Sequence, residues 1–227
     1  MSPVPVIAID GPSGVGKGTV ARALARQLNW HFLDSGALYR ILALSARKAG
    51  IPLENEAGVA ALAPRLDIRF SIQDTDAESI LVDGSELSGT VREESTGQLA
   101  SVIAVLPAVR AALLARQRAF RQPPGLVADG RDMGTVVFPD AGLKIFLDAS
   151  AEERARRRLK QLSKAGIDAK LSSLCAEIRE RDVRDRTRRH SPLKPADDAI
   201  VIDTTTLPVE SVLARVGELV SARGYAT

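Results

Sequence analysis

A glycine-rich segment near the N-terminus has the residue types and the spacing of a phosphate-binding loop. It fits the pattern G-x-x-x-x-G-K and reads Gly11-Pro12-Ser13-Gly14-Val15-Gly16-Lys17-Gly18-Thr19. Glycines let backbone N–H groups surround an anion and allow positive φ, and the lysine can reach the β- and γ-phosphates. A helix that begins near Lys17 would add its N-terminal dipole. The whole segment therefore predicts a binding site for a nucleoside triphosphate such as ATP.

The end of this loop departs from the general pattern. Gly18 stands where the pattern has Ser or Thr, whose hydroxyl binds Mg²⁺, and Thr19 comes one residue later. The sequence therefore leaves open whether a hydroxyl group of the loop binds Mg²⁺ directly. Asp129 follows an apolar stretch and stands where an acidic residue can hold Mg²⁺ through water. We expect Mg²⁺ to accompany ATP, with Asp129 as a water-mediated ligand.

The residues around the loop predict the elements that position it. An apolar run at 5–9 is typical of a strand buried on both faces, and apolar residues with helical spacing follow over 17–28. Further strand patterns occur at 31–33, 126–128, 143–147 and 199–202. Helix patterns alternate with them at 37–48, 107–120 and from 208 onward. This alternation predicts an α/β fold with a doubly wound parallel sheet of about five strands, a P-loop core with its ligands at the carboxyl ends of the strands.

Two regions interrupt the alternation. The first, about residues 41–106, has period-two patterns at 66–72 and 79–82 and the turn pair Asp83-Gly84, which predicts an inserted α+β subdomain. The second, about residues 151–190, predicts two helices around Gly166 that act as a short arginine-rich lid. The chain is predicted to be a single domain, and its core comprises residues 1–40, 107–150 and 191–227.

The basic residues are concentrated in the lid. The net charge is +3, and 13 of the 31 Lys and Arg residues fall between Glu152 and His190, against seven acidic residues. One basic segment on an otherwise acidic body is typical of a local anion clamp rather than a duplex-binding face. Single-stranded nucleic acid binds proteins through aromatic side chains on which its bases stack. The chain is only 4% aromatic, and the lid has no aromatic residue. We expect no nucleic-acid partner.

The amino-acid composition also indicates the cellular compartment in which the protein is found. No apolar run is long enough to span a membrane, and residues 1–9 lack the pattern of a signal peptide. Cys175 is the one cysteine, which agrees with a reducing compartment and excludes a cysteine-ligated metal. These features predict a cytoplasmic protein with no membrane partner, and we expect a monomer.

Three further segments and two single residues narrow the function. The two single residues are Ser101 and Arg110. The three segments are Asp34-Ser35-Gly36-Ala37-Leu38-Tyr39-Arg40, Asp129-Gly130-Arg131-Asp132-Met133-Gly134 and Arg181-Asp182-Val183-Arg184-Asp185-Arg186-Thr187-Arg188. With the G-K-G-T ending of the loop, they closely resemble the bacterial cytidylate kinase family of nucleoside monophosphate kinases. The resemblance spans essentially the whole chain. It implies transfer of the γ-phosphoryl group of ATP to CMP or dCMP with Mg²⁺, and makes the insertion a monophosphate-binding subdomain.

The resemblance also implies roles for residues. The acceptor monophosphate or its sugar is surrounded by Ser35, Arg40, Arg131 and Arg188. Arg181 and Asp185 contact the ribose. The cytosine is read by Ser101, Arg110 and Asp132.

The chemistry of the base-reading residues supports their roles independently. A carboxylate such as Asp132 can accept from the cytosine amine, and Arg110 and Ser101 suit the ring nitrogen and carbonyl. Uracil reverses the polarity of that edge and would be rejected. The alternatives for Asp132 are a helix N-cap and an ion pair with Arg131.

The charges of the two substrates predict the mechanism. The nucleophile is a phosphate oxygen that is ionised at neutral pH, so no general base is required and catalysis reduces to positioning and charge neutralisation. The predicted catalytic residues are Lys17, from the loop, and the arginines that the resemblance places at the site, Arg131, Arg181 and Arg188. One of Arg154, Arg157 and Arg158 is expected to stack on adenine.

The histidines, the tryptophan and the cysteine have no predicted part in the chemistry. We expect His31 to be a structural residue at a strand edge and His190 not to act. Trp30 and Cys175 are interpreted as packing residues, with Cys175 as a small buried hydrophobic residue.

Three other classes of protein have the same kind of phosphate-binding loop. A GTPase would carry an Asn-Lys-x-Asp motif, but neither Asn29 nor Asn55 is followed by lysine. A nucleic-acid-dependent ATPase would need aromatic platforms. A small-metabolite kinase, acting on shikimate or dephospho-coenzyme A, remains the main alternative, and the base-reading residues argue against it.

Overall fold

The order of helices and strands follows the predicted alternation. The computed structural model describes residues 3–72, 78–164 and 166–225. Its strands are β1 (Val6–Asp10), β2 (His31–Asp34), β3 (Ile68–Ile72), β4 (Glu78–Val82), β5 (Ser85–Glu86), β6 (Leu126–Gly130), β7 (Leu143–Asp148) and β8 (Ile200–Asp203). Its helices are α1 (Lys17–Leu28), α2 (Ser35–Lys48), α3 (Glu56–Leu62), α4 (Ser88–Arg92), α5 (Glu94–Ile103), α6 (Pro107–Ala119), α7 (Ala151–Lys164), α8 (Leu171–Thr187) and α9 (Val209–Ala222).

The main sheet is parallel and has β1 at its centre. Its order is β2-β6-β1-β7-β8, and every residue of β1 is buried. One face packs against α1 and α9, through residues such as Leu24 and Val216, and the other face packs against α2 and α6, through residues such as Leu38 and Leu113. The chain moves to opposite sides of β1 for β6 and β7, so a crevice opens at the carboxyl end of β1. The predicted doubly wound sheet of five strands is confirmed.

The predicted insertion contains the expected α and β elements. The strands β3, β4 and β5 form an antiparallel sheet, and Asp83 (φ 50°) and Gly84 (φ 78°) make the tight turn between β4 and β5. Ile80 and Val82 join the buried cluster that also contains residues of α2. Residues 73–77 of this predicted region lie outside the described residues. The helix α2 runs without a break across position 41, where the insertion is predicted to begin.

The predicted lid consists of the two helices α7 and α8. Gly166, with φ 72°, lies in the connection between them. Two short helical turns were not predicted. One is a turn of 3₁₀-helix in the insertion, over Ala63–Arg65, and the other is a π-helical turn in the core, over Met133–Val137.

No single helix in the described ranges is long and apolar enough to cross a membrane. The pair α5 and α6 meets that criterion only when taken together, and the two helices are bent by 108° relative to each other.

Candidate functional site

The phosphate loop joins β1 to α1 at the crevice of the main sheet. Gly14 and Gly16 have φ values of 82° and 95°, a backbone conformation that favours glycine. Gly11 has φ 147°, and a Cβ added there would lie 2.0 Å from the carbonyl oxygen of Leu147. Glycine at position 11 therefore lets the loop pass directly against the end of β7.

Lys17 lies at the centre of the loop. Its side chain is buried, and Nζ donates to the carbonyl oxygen of Pro12 at 2.9 Å and lies 3.8 Å from Oδ1 of Asp129. Burial and then the charge of Arg131 lower the pKa of Lys17 to about 8, although Asp129 acts in the opposite direction. A phosphate at this point adds negative charge beside the ammonium, which favours its charged form.

Gly18 faces Arg22 and Asp129. A Cβ at Gly18 would lie 3.1 Å from Nη1 of Arg22 and 3.4 Å from Oδ2 of Asp129. A Ser or Thr side chain, as in the general pattern, would therefore fit there with a shift of the Arg22 guanidinium of a few tenths of an ångström. We did not predict a role for Arg22, but its position four residues after Gly18 on α1 is the signal that places it beside the loop.

Two carboxylates lie beside Lys17 at the ends of neighbouring strands. Asp34 and Asp129 are register partners on β2 and β6, and Asp34 also caps α2 by accepting from the N–H of Ala37 at 2.9 Å. Burial raises the pKa of Asp129 to about 6, against the effect of Lys17. No group of three or more His, Cys, Asp or Glu side chains in the described part of the chain could hold a metal by itself. Mg²⁺ keeps several waters and takes one or two carboxylates together with substrate phosphates, so these residues fit that ion.

A large cavity connects the loop to several of the predicted arginines. Its volume is about 890 Å³, and its lining includes Lys17, Thr19, Asp34, Arg40, Asp129, Arg131, Arg157, Arg158 and Arg181. It lies at the carboxyl ends of β1, β2 and β6, as predicted for this sheet. The structure thus places the loop and three of the predicted acceptor-binding arginines around one space, whereas Arg188 and Ser35 do not line it.

Arg131 is held by an ion pair from the lid. Its Nε donates to Oδ2 of Asp185 at 3.1 Å, and Nη1 donates to the carbonyl oxygen of Gly130 at 3.2 Å. Burial acts to lower the pKa of Arg131, but Asp185 and Asp129 outweigh it and the net shift is upward. For Asp185, burial acts to raise the pKa, but Arg131 and Arg181 outweigh it and the net shift is downward. The pair is therefore ionised.

Arg181 lines the cavity in surroundings that do not fully compensate its charge. Burial and the nearby charge of Arg131 lower its pKa to about 10. Its Nε is buried and has no hydrogen-bond partner among the described residues. A buried donor without a partner costs free energy, so an anion bound here would be stabilised.

Two other predicted acceptor-binding residues belong to α2. Arg40 donates through Nη1 to the carbonyl oxygens of Val91 (2.9 Å) and Glu93 (3.0 Å), and so joins α2 to the insertion. Ser35 is buried at the start of the helix, beside Gly130.

Asp132 is paired with two arginines. Nη2 of Arg110 donates to its Oδ2, and Nη2 of Arg188 lies 3.9 Å from its Oδ1. The side chain makes no capping hydrogen bond to the turn that follows it. Both alternatives for Asp132, a helix cap and an ion pair with Arg131, are therefore wrong.

The structure does not bring the three predicted base-reading residues into one cavity. Ser101 donates to the carbonyl oxygen of Gly97 at 3.0 Å and lines a cavity of about 560 Å³ beside α8. Arg110 and Asp132 line a separate cavity of about 180 Å³. His190 also lines that smaller cavity, which the sequence did not indicate.

The lid arginines have different environments. Arg154 is buried and bonded to Asp182 and to backbone carbonyls, so the hypothesis that it stacks on adenine is wrong. Arg157 lines the large cavity and donates to the Thr204 carbonyl oxygen. Residues 205–209 after β8 also line the cavity, and we did not predict a role for this loop.

The predictions for the remaining residues have mixed outcomes. Nε2 of His31, at the start of the edge strand β2, lies 2.9 Å from the Pro123 carbonyl oxygen, as expected for a structural residue. Trp30 packs edge-on against Tyr225 at 5.1 Å between ring centroids. Cys175 is only partly buried, with Sγ 4.0 Å from Oε1 of Glu152, so the expectation of a buried cysteine is wrong.

Asp10 is a buried carboxylate that we did not predict as part of the site. At the end of β1, it accepts from the N–H groups of Met133 and Gly134, both at 2.8 Å. These bonds hold the turn that follows Arg131 and Asp132. Burial raises the pKa of Asp10 to about 7, despite the two backbone hydrogen bonds.

This pKa predicts a pH dependence of stability. Because the folded pKa of about 7 lies above the ordinary value of 3.8, the stabilising contribution of Asp10 is fully present below about pH 4 and is lost as the pH rises through about 7. We expect the free energy of unfolding of Asp10→Asn to fall less steeply than that of the wild type over this range. Urea unfolding at a series of pH values measures both slopes, and equal slopes would refute the assignment.

The fold and the cavity define a class of protein. A parallel sheet with a G-K phosphate loop after its central strand, facing a cluster of buried arginines, is the arrangement of a P-loop phosphotransferase. Comparison with known proteins narrows this class, because a family model described as cytidylate kinase matches residues 7–222.

Individual relatives agree with the family model. The chain is 58% identical over 227 residues to a cytidylate kinase of Stutzerimonas stutzeri (strain A1501), covering 100% of this chain and 99% of that one. It is 57% identical to a cytidylate kinase of Aeromonas salmonicida (strain A449), covering 93% and 92% of the two chains. The chain belongs to the cytidylate kinase family, which confirms the resemblance found in the sequence.

Proposed function

We propose that the protein transfers the γ-phosphoryl group of ATP to CMP or dCMP and gives ADP with CDP or dCDP. One observation carries this proposal beyond the family: a single cavity of about 890 Å³ is lined both by the phosphate loop and by Arg40, Arg131 and Arg181. Two polyanionic substrates can therefore meet in one space lined by cations.

The donor side is formed by the loop and the lid. The backbone N–H groups of residues 11–19 bind the ATP phosphates, and the Lys17 ammonium contacts the β- and γ-phosphate oxygens. The adenine contacts the Arg157 guanidinium and the neighbouring loop at 205–209, which both line the cavity. Asp129, with Asp34 nearby, would hold Mg²⁺ through water, and the ion would neutralise phosphate charge.

The acceptor side is formed by residues from α2, α5, α6 and α8 and from the turns that follow β6 and α8. The monophosphate is bound by Ser35, Arg40, Arg131 and Arg188, and the ribose by Arg181 and Asp185. The cytosine is read by Ser101, Arg110 and Asp132. For the last three to act together, the insertion that carries Ser101 has to close towards α6, so we propose that residues 41–106 and the lid at 151–190 move over the bound substrates.

The transfer step needs no general base. An ionised oxygen of the CMP phosphate forms a bond to the γ-phosphorus while the bond from that phosphorus to the β–γ bridging oxygen breaks. The charge that spreads over the transferring group is stabilised by Lys17, Arg131, Arg181 and Arg188. That the protein acts as a cytoplasmic monomer, without nucleic acid or membrane as a partner, stays a prediction.

The proposal is tested by offering different acceptors to the same enzyme. ADP release from ATP and Mg²⁺ is followed in a coupled assay with CMP, dCMP, UMP, AMP or shikimate present separately. We expect rapid turnover with CMP and dCMP. Equal rates with every acceptor would show that the substrate assignment is wrong, and turnover with shikimate alone would favour the small-metabolite kinase.

Asp132 provides a test of how the base is recognised. Asn in place of Asp132 can present either a donor or an acceptor to the base, so it should discriminate less between cytosine and uracil. We expect Asp132→Asn to lower kcat/KM for CMP by about 10- to 100-fold and to leave the low value for UMP nearly unchanged. Asp140→Asn, which changes an exposed carboxylate paired with Arg121, is the control and should behave as the wild type. An unchanged CMP to UMP ratio in Asp132→Asn would contradict the role.

A further inference from the structure

Arg154 differs from its neighbours on α7 because it is buried. Its side chain is 2% exposed, whereas those of Arg156 and Arg157 are 61% and 28% exposed. Removing a guanidinium from water is costly unless it is paired and hydrogen-bonded. The surroundings of Arg154 therefore indicate a role that the other arginines of the helix do not share.

The partners of Arg154 come from three separate segments. Nε donates to the carbonyl oxygen of Ala149 at 3.0 Å, just before α7. Nη1 donates to the carbonyl oxygen of Ser13 in the phosphate loop at 3.1 Å. Nη1 and Nη2 together hold the carboxylate of Asp182 on α8, with Nη1 3.0 Å from Oδ1. One side chain thus joins the phosphate loop to the lid.

Asp182 lies on α8 directly beside residues of the cavity, so the ion pair with Arg154 connects the phosphate loop to those residues. Asp182 directly follows Arg181, whose guanidinium lines the large cavity. Asp185, one turn after Arg181, holds Arg131. The face of α8 fixed by Arg154 is therefore next to the face that presents the cations of the cavity.

We propose that the Arg154–Asp182 ion pair positions Arg181 relative to the phosphate loop for the transfer reaction. The proposal rests on the proposed function, because it assigns Arg181 to the transferring phosphoryl group. Arg154 and Asp182 contact the loop backbone and each other, so they are positioning residues that act through Arg181. A forked guanidinium–carboxylate pair fixes direction as well as distance, which a single point charge does not.

Asp182→Asn is the informative variant, because it keeps the shape of the side chain and removes its charge. A misplacement of about 1 Å at a catalytic group can cost about 10²-fold in rate. We expect kcat to fall by about 10- to 100-fold, with KM for ATP nearly unchanged because the loop is intact. Arg154→Lys keeps the charge without the fork and should lower kcat in the same direction.

A double variant separates positioning from a general loss of structure. If Asp182 acts through Arg181, then adding Asp182→Asn to Arg181→Met should lower kcat further by less than about two-fold. The same factor in both backgrounds, or a kcat for Asp182→Asn equal to that of the wild type, would overturn the proposal. Arg179→Gln is the matched control, because it breaks an exposed ion pair with Glu152 between the same two helices, and its kcat should not change.

Amide hydrogen exchange provides a readout that does not depend on activity. In the absence of substrate, residues 176–188 should exchange faster in Asp182→Asn than in the wild type and in Arg179→Gln. Unchanged exchange would refute the connection even in an active enzyme. A wild-type protein that does not phosphorylate CMP would refute the proposed function instead, and the exchange result would still decide whether the ion pair holds α8.

Discussion

Replacing Lys17 by methionine should lower kcat by about 10³-fold and leave the fold intact. Nζ of Lys17 is buried at the centre of the loop, 2.9 Å from the Pro12 carbonyl oxygen and 3.8 Å from Asp129. Methionine has a similar length, so the loop keeps its packing while the ammonium that stabilises the transferring phosphoryl group is lost. Initial rates of CDP formation at saturating ATP and CMP measure the effect, and circular dichroism tests the fold.

The control for this prediction is Lys48→Met. Lys48 is exposed at the end of α2, so its loss should not change kcat. A Lys17→Met enzyme that is folded and turns over at a rate near that of the wild type would contradict the placement of the ATP phosphates at the loop.

Replacing Arg131 by methionine should also lower kcat by about 10³-fold, in line with the loss of other arginines that stabilise a transferring phosphoryl group. Arg131 lies within electrostatic reach of both Lys17 and Arg181, since its charge lowers the pKa values of both. Its charge therefore acts on both of these cations of the cavity. Steady-state rates with varied CMP separate its effect on kcat from its effect on the KM for CMP.

Two further variants make this prediction specific. Arg131→Lys keeps the charge but loses the fork that reaches Asp185 and a phosphate together, so we expect it to recover only part of the rate. Arg215→Met changes an arginine that pairs with Glu218 on the exposed side of α9 and should leave kcat unchanged. If kcat were unchanged in Arg131→Met and only the KM for CMP rose, Arg131 would be a binding residue alone.

Much of the fold could be predicted because its signals are local in the sequence. The apolar run of β1, the glycine loop and the amphipathic α1 are consecutive, and each is recognised from its own residues. The alternation of strands and helices then restricts the sheet to a parallel, doubly wound arrangement. The position of the cavity follows from that topology, because Lys17 and Arg131 both come directly after strands of the sheet. The expectation for Arg181, which lies on a lid helix, came from the family resemblance instead.

The parts that could not be predicted depend on contacts between distant segments. Asp10 accepts from Met133 and Gly134, more than 120 residues further along the chain, and no pattern around Asp10 indicates those partners. Arg154 and Arg157 are close neighbours on one basic helix, and only the packing of α8 decides that Arg154 is the buried one. The ion pairs of Asp132 likewise required the structure, because both of the alternatives that the sequence suggested were wrong.

The central claim is that one cavity holds donor and acceptor for direct transfer. Its most direct test is the quantification of all nucleotides and inorganic phosphate after ATP, Mg²⁺ and CMP are incubated with the wild-type protein. Direct transfer predicts equal amounts of ADP and CDP, loss of CMP to the same extent and no release of inorganic phosphate. ADP accompanied by an equal amount of inorganic phosphate, with CMP unchanged, would contradict the claim and identify an ATPase.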